Sequence, residues 1–229
     1  MAVMFSSTSA LAEQINVAII DSGASQYADY SKSFTSFFPN EDPINHGTQI
    51  AKIIKEEAPS AKIYMLQVCE IKEKQFRPSS EAVIKAIEWS VENNMDIVNM
   101  SLVTDYSKDI EDAIEDAAMK HGIVFIAASG NKTIKNRFVA DDEGFIRRSQ
   151  QKLKPAFPAS SAHVISVGAL ESDGKLADYS AVGADISANG FIKGQKGTSF
   201  ACARVTSKVI NTILQYNPQR TPAAILYHL

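Results

Sequence analysis

The sequence predicts an α/β fold, a three-layer doubly wound sheet that is mostly parallel, and three observations carry that expectation. Short apolar runs rich in Val and Ile alternate with segments of helical period. The runs are apolar almost throughout, so they need cover on both faces, which a parallel sheet between two helix layers supplies. Polar turn residues follow several runs directly, at Asp21, after Met100 and at Asn131, where ligand chemistry gathers in such sheets.

Each element has its own signal. Residues 15–21 (INVAIID) end in Asp-Ser-Gly, the pattern of a buried strand followed by a turn. Residues 46–56 bring Ile50, Ile53 and Ile54 onto one helical face. Residues 62–68 read as a second strand. A helix over residues 80–93 is expected to be capped by Ser80, with Val83, Ala86, Ile87 and Ser90 or Val91 turned inward. Residues 96–100 (DIVNM) form a third strand, and residues 108–121 an acidic-faced helix stopped by Gly122. Residues 123–128 and 163–167 give the fourth and fifth strands, residues 199–215 a long helix and residues 222–227 a short last one.

The 229 residues, 45% of them hydrophobic, are enough for one domain over residues 1–229 with a sizeable core. A formal charge of -3 and an isoelectric point near 5.8 argue against nucleic acid or an anionic membrane as partner. No apolar run approaches the roughly 20 residues of a membrane span. Residues 1–14 read as an N-terminal extension. Ala10, Leu11 and Ala12 resemble a signal cleavage site, but no Lys or Arg precedes them and Ser6, Ser7, Thr8 and Ser9 interrupt the apolar stretch. The compartment stays open. Cys69 and Cys202 have no disulfide or metal spacing and read as buried, reduced small hydrophobes. Residues 132–156 carry Lys132, Lys135, Arg137, Arg147, Arg148, Lys152 and Lys154 against Asp141, Asp142 and Glu143. They read as an inserted polar surface loop, with a specificity or docking loop as the sharper alternative.

Four polar residues stand at element ends. Asp21 closes the first strand, His46 opens a helix in Asn-His-Gly-Thr, Asn131 closes Ala-Ala-Ser-Gly-Asn, and Ser199 lies in Gly-Thr-Ser-Phe-Ala where a loop enters the long helix. Singly, each has an ordinary reading as a turn residue, a cap or a surface histidine. Jointly they supply what amide hydrolysis needs. A serine hydroxyl requires a base, an imidazole requires a carboxylate to orient it, and the oxyanion requires donors already aimed at it. The N–H of Ser199 at a helix start and the amide of Asn131 are the candidate donors.

With its flanking motifs, the order Asp, His, Ser resembles the subtilase family. The similarity runs through AIIDSG (18–23), HGTQIA (46–51), APSAKIYMLQV (58–68), IVNMSL (97–102), GIVFIAASGN (122–131), FPASSAHVISVGAL (157–170), DYSAVGADISANG (178–190) and GTSFA (197–201). It implies a serine endopeptidase with Asp21, His46 and Ser199 as triad, and Asn131 with Ser199 as oxyanion hole. It also implies an extended peptide or protein substrate along Ser101 and Leu102, and a pocket walled by Val103, Ala127, Ala128, Ser129 and Gly130 with Ala156 near its base. No cofactor is implied. A prodomain or protein inhibitor outside the chain is a partner the resemblance allows, and no inhibitory prodomain is recognisable before Ile15.

Departures from the family pattern are local. Val103 stands where glycine is usual and is expected to narrow the pocket or hinder backbone approach. Ala203 replaces a proline, Arg204 a histidine, and Asn189 a second proline. The span from His46 to Ala58 is short and lacks a cluster of Asp and Asn oxygens, so no tight calcium site is expected there. A catalytically weak or inactive peptide-binding or scaffold module is the alternative, since Val103 bears on the pocket. A nucleotide-binding reading fails because the turn after the first strand has no Gly-rich phosphate pattern.

Overall fold

The computed structural model describes residues 14–24, 26–72, 75–131, 134–140 and 146–229, with backbone alone for residues 72, 75, 134–140 and 146–152. The N-terminal extension, Gln14 apart, and the insertion's charged side chains other than Lys154 therefore lie outside the described residues.

The chain begins with β1 (Asn16–Asp21) and β2 (Tyr30–Ser33), then α1 (His46–Glu57) and β3 (Lys62–Gln67). A hairpin of β4 (Cys69–Lys72) and β5 (Gln75–Pro78) leads to α2 (Ser80–Glu92), β6 (Ile97–Met100), α3 (Lys108–His121) and β7 (Val124–Ala128). A second antiparallel hairpin, β8 (Ile134–Ala140) with β9 (Ile146–Lys152), precedes β10 (Val164–Leu170) and β11 (Ile186–Asn189). The small pair β12 (Phe191–Ile192) and β13 (Gln195–Lys196) leads to α4 (Thr198–Tyr216) and α5 (Pro222–Tyr227).

Seven strands form one sheet in the order β11-β10-β7-β6-β1-β3-β2, every pairing parallel. The doubly wound α/β expectation holds. Alternation along β1 explains the layers: Val17 and Ile19 join a core with residues of α1 and α4, while Ala18 and Ile20 join one with residues of α2 and α3. The chain leaves β1 toward β3 and returns past it to β6, so a crevice opens beyond the carboxyl ends of these neighbours. Asp21 ends one of them and Ser101 follows the other.

Three local expectations change. Ser79, not Ser80, is the N-cap of α2, and its side chain makes no capping hydrogen bond. The long helix starts at Thr198, which puts Ser199 inside the first turn with Gly197 as N-cap. The stretch read as a loop over residues 132–156 contains the β8–β9 hairpin, in register from Ile134↔Lys152 to Ala140↔Ile146. An isolated ribbon of this kind needs no long apolar run, so the charge-rich composition of the stretch conceals it.

Gly122 takes the left-handed backbone (φ 67°) expected of a helix stop. Both cysteines are free and buried. Arg204 pairs with Glu57, tying α4 to the end of α1.

A buried polar cluster pins α4 to β6. Asn99 is fully buried; its Oδ1 accepts from Thr206 Oγ1 (2.9 Å) and Cys202 Sγ (3.3 Å), and its Nδ2 donates to Ser101 Oγ (3.1 Å). Ser101 Oγ in turn donates to the backbone oxygen of Ser199 at 3.0 Å. Replacing Asn99 by Ala strands several buried groups at once. Urea denaturation of Asn99→Ala is expected to give about 3 kcal/mol less stability, since each orphaned group costs roughly 1–3 kcal/mol; an unchanged midpoint would contradict the cluster's role.

Candidate active site

Asp21 is buried at the end of β1, and its Oδ1 lies 2.7 Å from His46 Nδ1. The same oxygen accepts the Ser22 N–H at 2.7 Å. His46 is the first residue of α1, and Gly47 is what brings that helix so near. A Cβ on Gly47 would stand 2.2 Å from the Gly23 oxygen and 3.2 Å from Asp21 Cβ, so any larger residue would push α1 off the strand end.

The start of α1 is capped by side chains from outside the helix. Asn45, its N-cap residue, contributes no side-chain cap and sits in the left-handed region (φ 56°) that Asn tolerates. Gly47 N–H donates to Ser22 Oγ (2.9 Å) and Thr48 N–H to Asp42 Oδ2 (2.8 Å). Thr48 Oγ1 donates to the same Asp42 oxygen at 2.7 Å, and Ser22 Oγ donates to Asp42 Oδ1 at 2.7 Å. One carboxylate thus fastens the turn after Asp21 to the helix that carries His46. Burial would push the imidazole's pKa down, but the charge and hydrogen bond of Asp21 and the nearby charge of Asp42 overcome it and hold His46 above its ordinary value.

Ser199 lies across the crevice from β1. Its Oγ donates to the backbone oxygen of Ser101 at 2.9 Å rather than to His46. The ring of Phe200, the residue after Ser199, is 6.3 Å from the His46 ring. Asn131 is oriented by Thr198, whose N–H and Oγ1 both donate to Asn131 Oδ1 at 2.8 and 3.0 Å. That assigns the amide oxygen inward and leaves Nδ2 as the outward donor. Thr198 Oγ1 also accepts the Gly130 N–H at 3.2 Å. Cys202, in the first turns of α4, is no rival nucleophile, because burial pushes its thiol up to about 12.

A pocket of about 390 Å³ opens beside Ser199. Ser101, Leu102 and Val103 line one side, and Ala128, Ser129, Gly130 and Asn131 another. Leu153, Lys154, Ala156, Thr198 and Ser199 complete it. Ala127 is the exception among the expected wall residues. It is fully buried in the core with α2 and α3, because strand alternation turns it away from the face of Ala128. Val103 is 44% exposed, and its Cγ1 comes within 3.6 Å of where a Gly130 Cβ would be.

Sequence reasoning missed Asp42, Ser22, Thr198, Asn99 and Leu153, and noted Lys154 only as part of the basic stretch over residues 132–156. An Asp four residues before a helix-opening His was a usable capping signal for Asp42. Asn99 lay inside the IVNMSL stretch, but its Cys202 and Thr206 partners, which give it its role, are about a hundred residues away.

The Subtilase family (Peptidase_S8) matches residues 12–229. The chain belongs to the subtilase family. It is 31% identical to the minor extracellular protease Epr of Bacillus subtilis (strain 168) over 76% of this chain and 26% of that protein. It is also 31% identical to subtilisin NAT of Bacillus subtilis subsp. natto over 75% of this chain and 45% of that one. The match therefore spans less than half the length of either relative. A crystal structure of a lanthipeptide protease shares the fold, with a TM-score of 0.71 at 22% identity over 93% of this chain and 78% of that one. As a subtilase, the chain keeps the motif order while differing at Val103 and Arg204.

The His46 environment has a pH signature. With a folded-state pKa above the ordinary 6.5, protonated His46 stabilises the fold fully below the unfolded value, and that stabilisation is lost as pH climbs through the folded value. Asp42→Asn removes one of the two carboxylates, so NMR titration of the His46 ring is expected to show a lower midpoint than in the parent. An unmoved midpoint would remove Asp42 from the site's electrostatics.

Proposed function

We propose that the chain is a serine endopeptidase that hydrolyses peptide bonds through an acyl-enzyme on Ser199. The single observation that carries this reading is the 2.7 Å pair of His46 Nδ1 and Asp21 Oδ1, on a histidine whose ring neighbour Phe200 directly follows Ser199. Asp21 fixes the tautomer in which Nδ1 carries the proton, so Nε2 is the free base, and it stabilises the imidazolium that forms. His46 removes the Ser199 proton as Oγ attacks the carbonyl carbon, then gives it to the leaving amine. Water repeats the sequence to release the acid. The oxyanion is held by Asn131 Nδ2 and the Ser199 N–H, the latter in the first turn of α4 where the helix dipole favours negative charge.

The hydrogen bond from Ser199 Oγ to the Ser101 oxygen is the resting arrangement in this reading. An extended substrate along residues 101–102 brings an N–H that competes for that same carbonyl, as in strand addition. Once displaced, the hydroxyl turns about χ1 toward His46. The same bond favours a second reading, a peptide-binding module whose serine is not activated, and Val103 beside the pocket adds to it.

A fluorophosphonate probe separates the two. The parent is expected to label and Ser199→Ala not to label; a folded parent that fails to label supports the binding module. Among labelling-competent variants, Asn131→Ala is expected to lose about a hundredfold or more in kcat, a size carried over from subtilisin's own oxyanion asparagine. A loss confined to KM would take Asn131 out of the oxyanion hole.

A further inference from the structure

The pocket beside Ser199 has a charge that its small apolar walls do not account for. Among the described residues, Lys154 is the only ionisable one in its lining, and none of those residues is a carboxylate. The residue is exposed, and no described carboxylate forms an ion pair with it. Lys55, Lys85, Lys108, Lys120 and Lys175 each sit within 3.1 Å of an Asp or Glu oxygen, whereas Lys193, Lys196 and Lys208 are exposed and, like Lys154, form no ion pair with a described carboxylate; what sets Lys154 apart is its place in the pocket lining.

Its backbone is well placed. Ala156, two residues on, donates its N–H to the Ser129 oxygen at 3.0 Å, and Val182 N–H donates to the Leu153 oxygen at 3.0 Å. The segment carrying Lys154 is therefore tied on one side to the wall that leads to Asn131 and on the other to the loop before β11. Val103 and Ala156 both approach the space over Gly130, at 3.6 and 3.5 Å from a Cβ built there, so a side chain entering the pocket meets apolar flanks. An ammonium at the edge of an apolar pocket gains most from a carboxylate, because bound substrate excludes water and weakens screening.

We infer that Lys154 is a specificity-determining residue that selects an acidic side chain, Asp or Glu, on the residue preceding the scissile bond. This rests on the endopeptidase reading and deepens it by naming the substrate class. The lysine touches the substrate side chain and not the reacting atoms, so it acts on selection and not on the chemistry of Ser199.

The test uses matched peptides that differ only in the residue before the cut: Glu against Gln, Asp against Asn, and Lys, with enzyme concentration set by fluorophosphonate titration. The parent is expected to prefer Glu over Gln by about two- to fivefold in kcat/KM at low salt, the range of an exposed ion pair, and less in 0.5 M NaCl. Lys154→Ala is expected to lose that preference while still cleaving the Gln peptide, and Lys154→Glu to favour Lys over Gln. A parent that labels and cleaves Glu and Gln peptides equally, or a preference that survives Lys154→Ala, overturns the inference and leaves the endopeptidase reading intact. A folded parent that neither labels nor cleaves any peptide overturns both.

Discussion

The contact between the start of α1 and the end of β1 is the constraint on which the rest depends. A helix that begins over a strand terminus carries unsatisfied N–H groups into a half-buried place, and they must be met by something. Here Ser22 Oγ and Asp42 Oδ2 meet two of them, and the missing side chain of Gly47 lets the helix lie close enough for this to happen. The same packing sets His46 at the strand end, where Asp21 holds its Nδ1 at 2.7 Å. Helix capping and the histidine–aspartate pair are thus one arrangement, and a change in either disturbs both.

The opposite wall of the crevice is built on a different principle. Helix α4 enters from Gly197 and is fastened beneath by the Asn99 cluster, which lies within a dry interior where unmet polar groups are costly. Thr198 then spends its N–H and hydroxyl on Asn131 Oδ1, so the amide of Asn131 is set by a residue adjacent to Ser199. Donor and serine move as a unit. Preorganisation of this kind is what gives an oxyanion site its effect, because no reorientation is needed when charge develops.

Much of this was legible in the sequence. The strands of the central sheet that are apolar on both faces, β1, β3, β6, β7 and β10, announced themselves by composition, as did the helices whose inward stripes pack on them. The edge strands did not. Tyr30–Ser33 is polar and pairs on one side only, and the short pairs outside the main sheet bury too little to leave a pattern. At the site, Asp21, His46, Asn131 and Ser199 were visible because each sits in a local motif. Asn99 was not, because its Cys202 and Thr206 partners are distant in the chain, and Asp42 was passed over despite its spacing before His46. Ala127 was misread for the converse reason: its motif is right, but alternation along β7 sends its side chain into the core while Ala128 faces the pocket.

The most direct measurement of the central claim is a crystal structure of the protein soaked with a peptide boronic acid. The account expects boron bonded to Ser199 Oγ, the Ser101 carbonyl released to the inhibitor backbone, one boronate oxygen between Asn131 Nδ2 and the Ser199 N–H, and His46 Nε2 facing the other. Boron bonded to any other side chain, or a peptide bound with Ser199 still donating to Ser101, would contradict it.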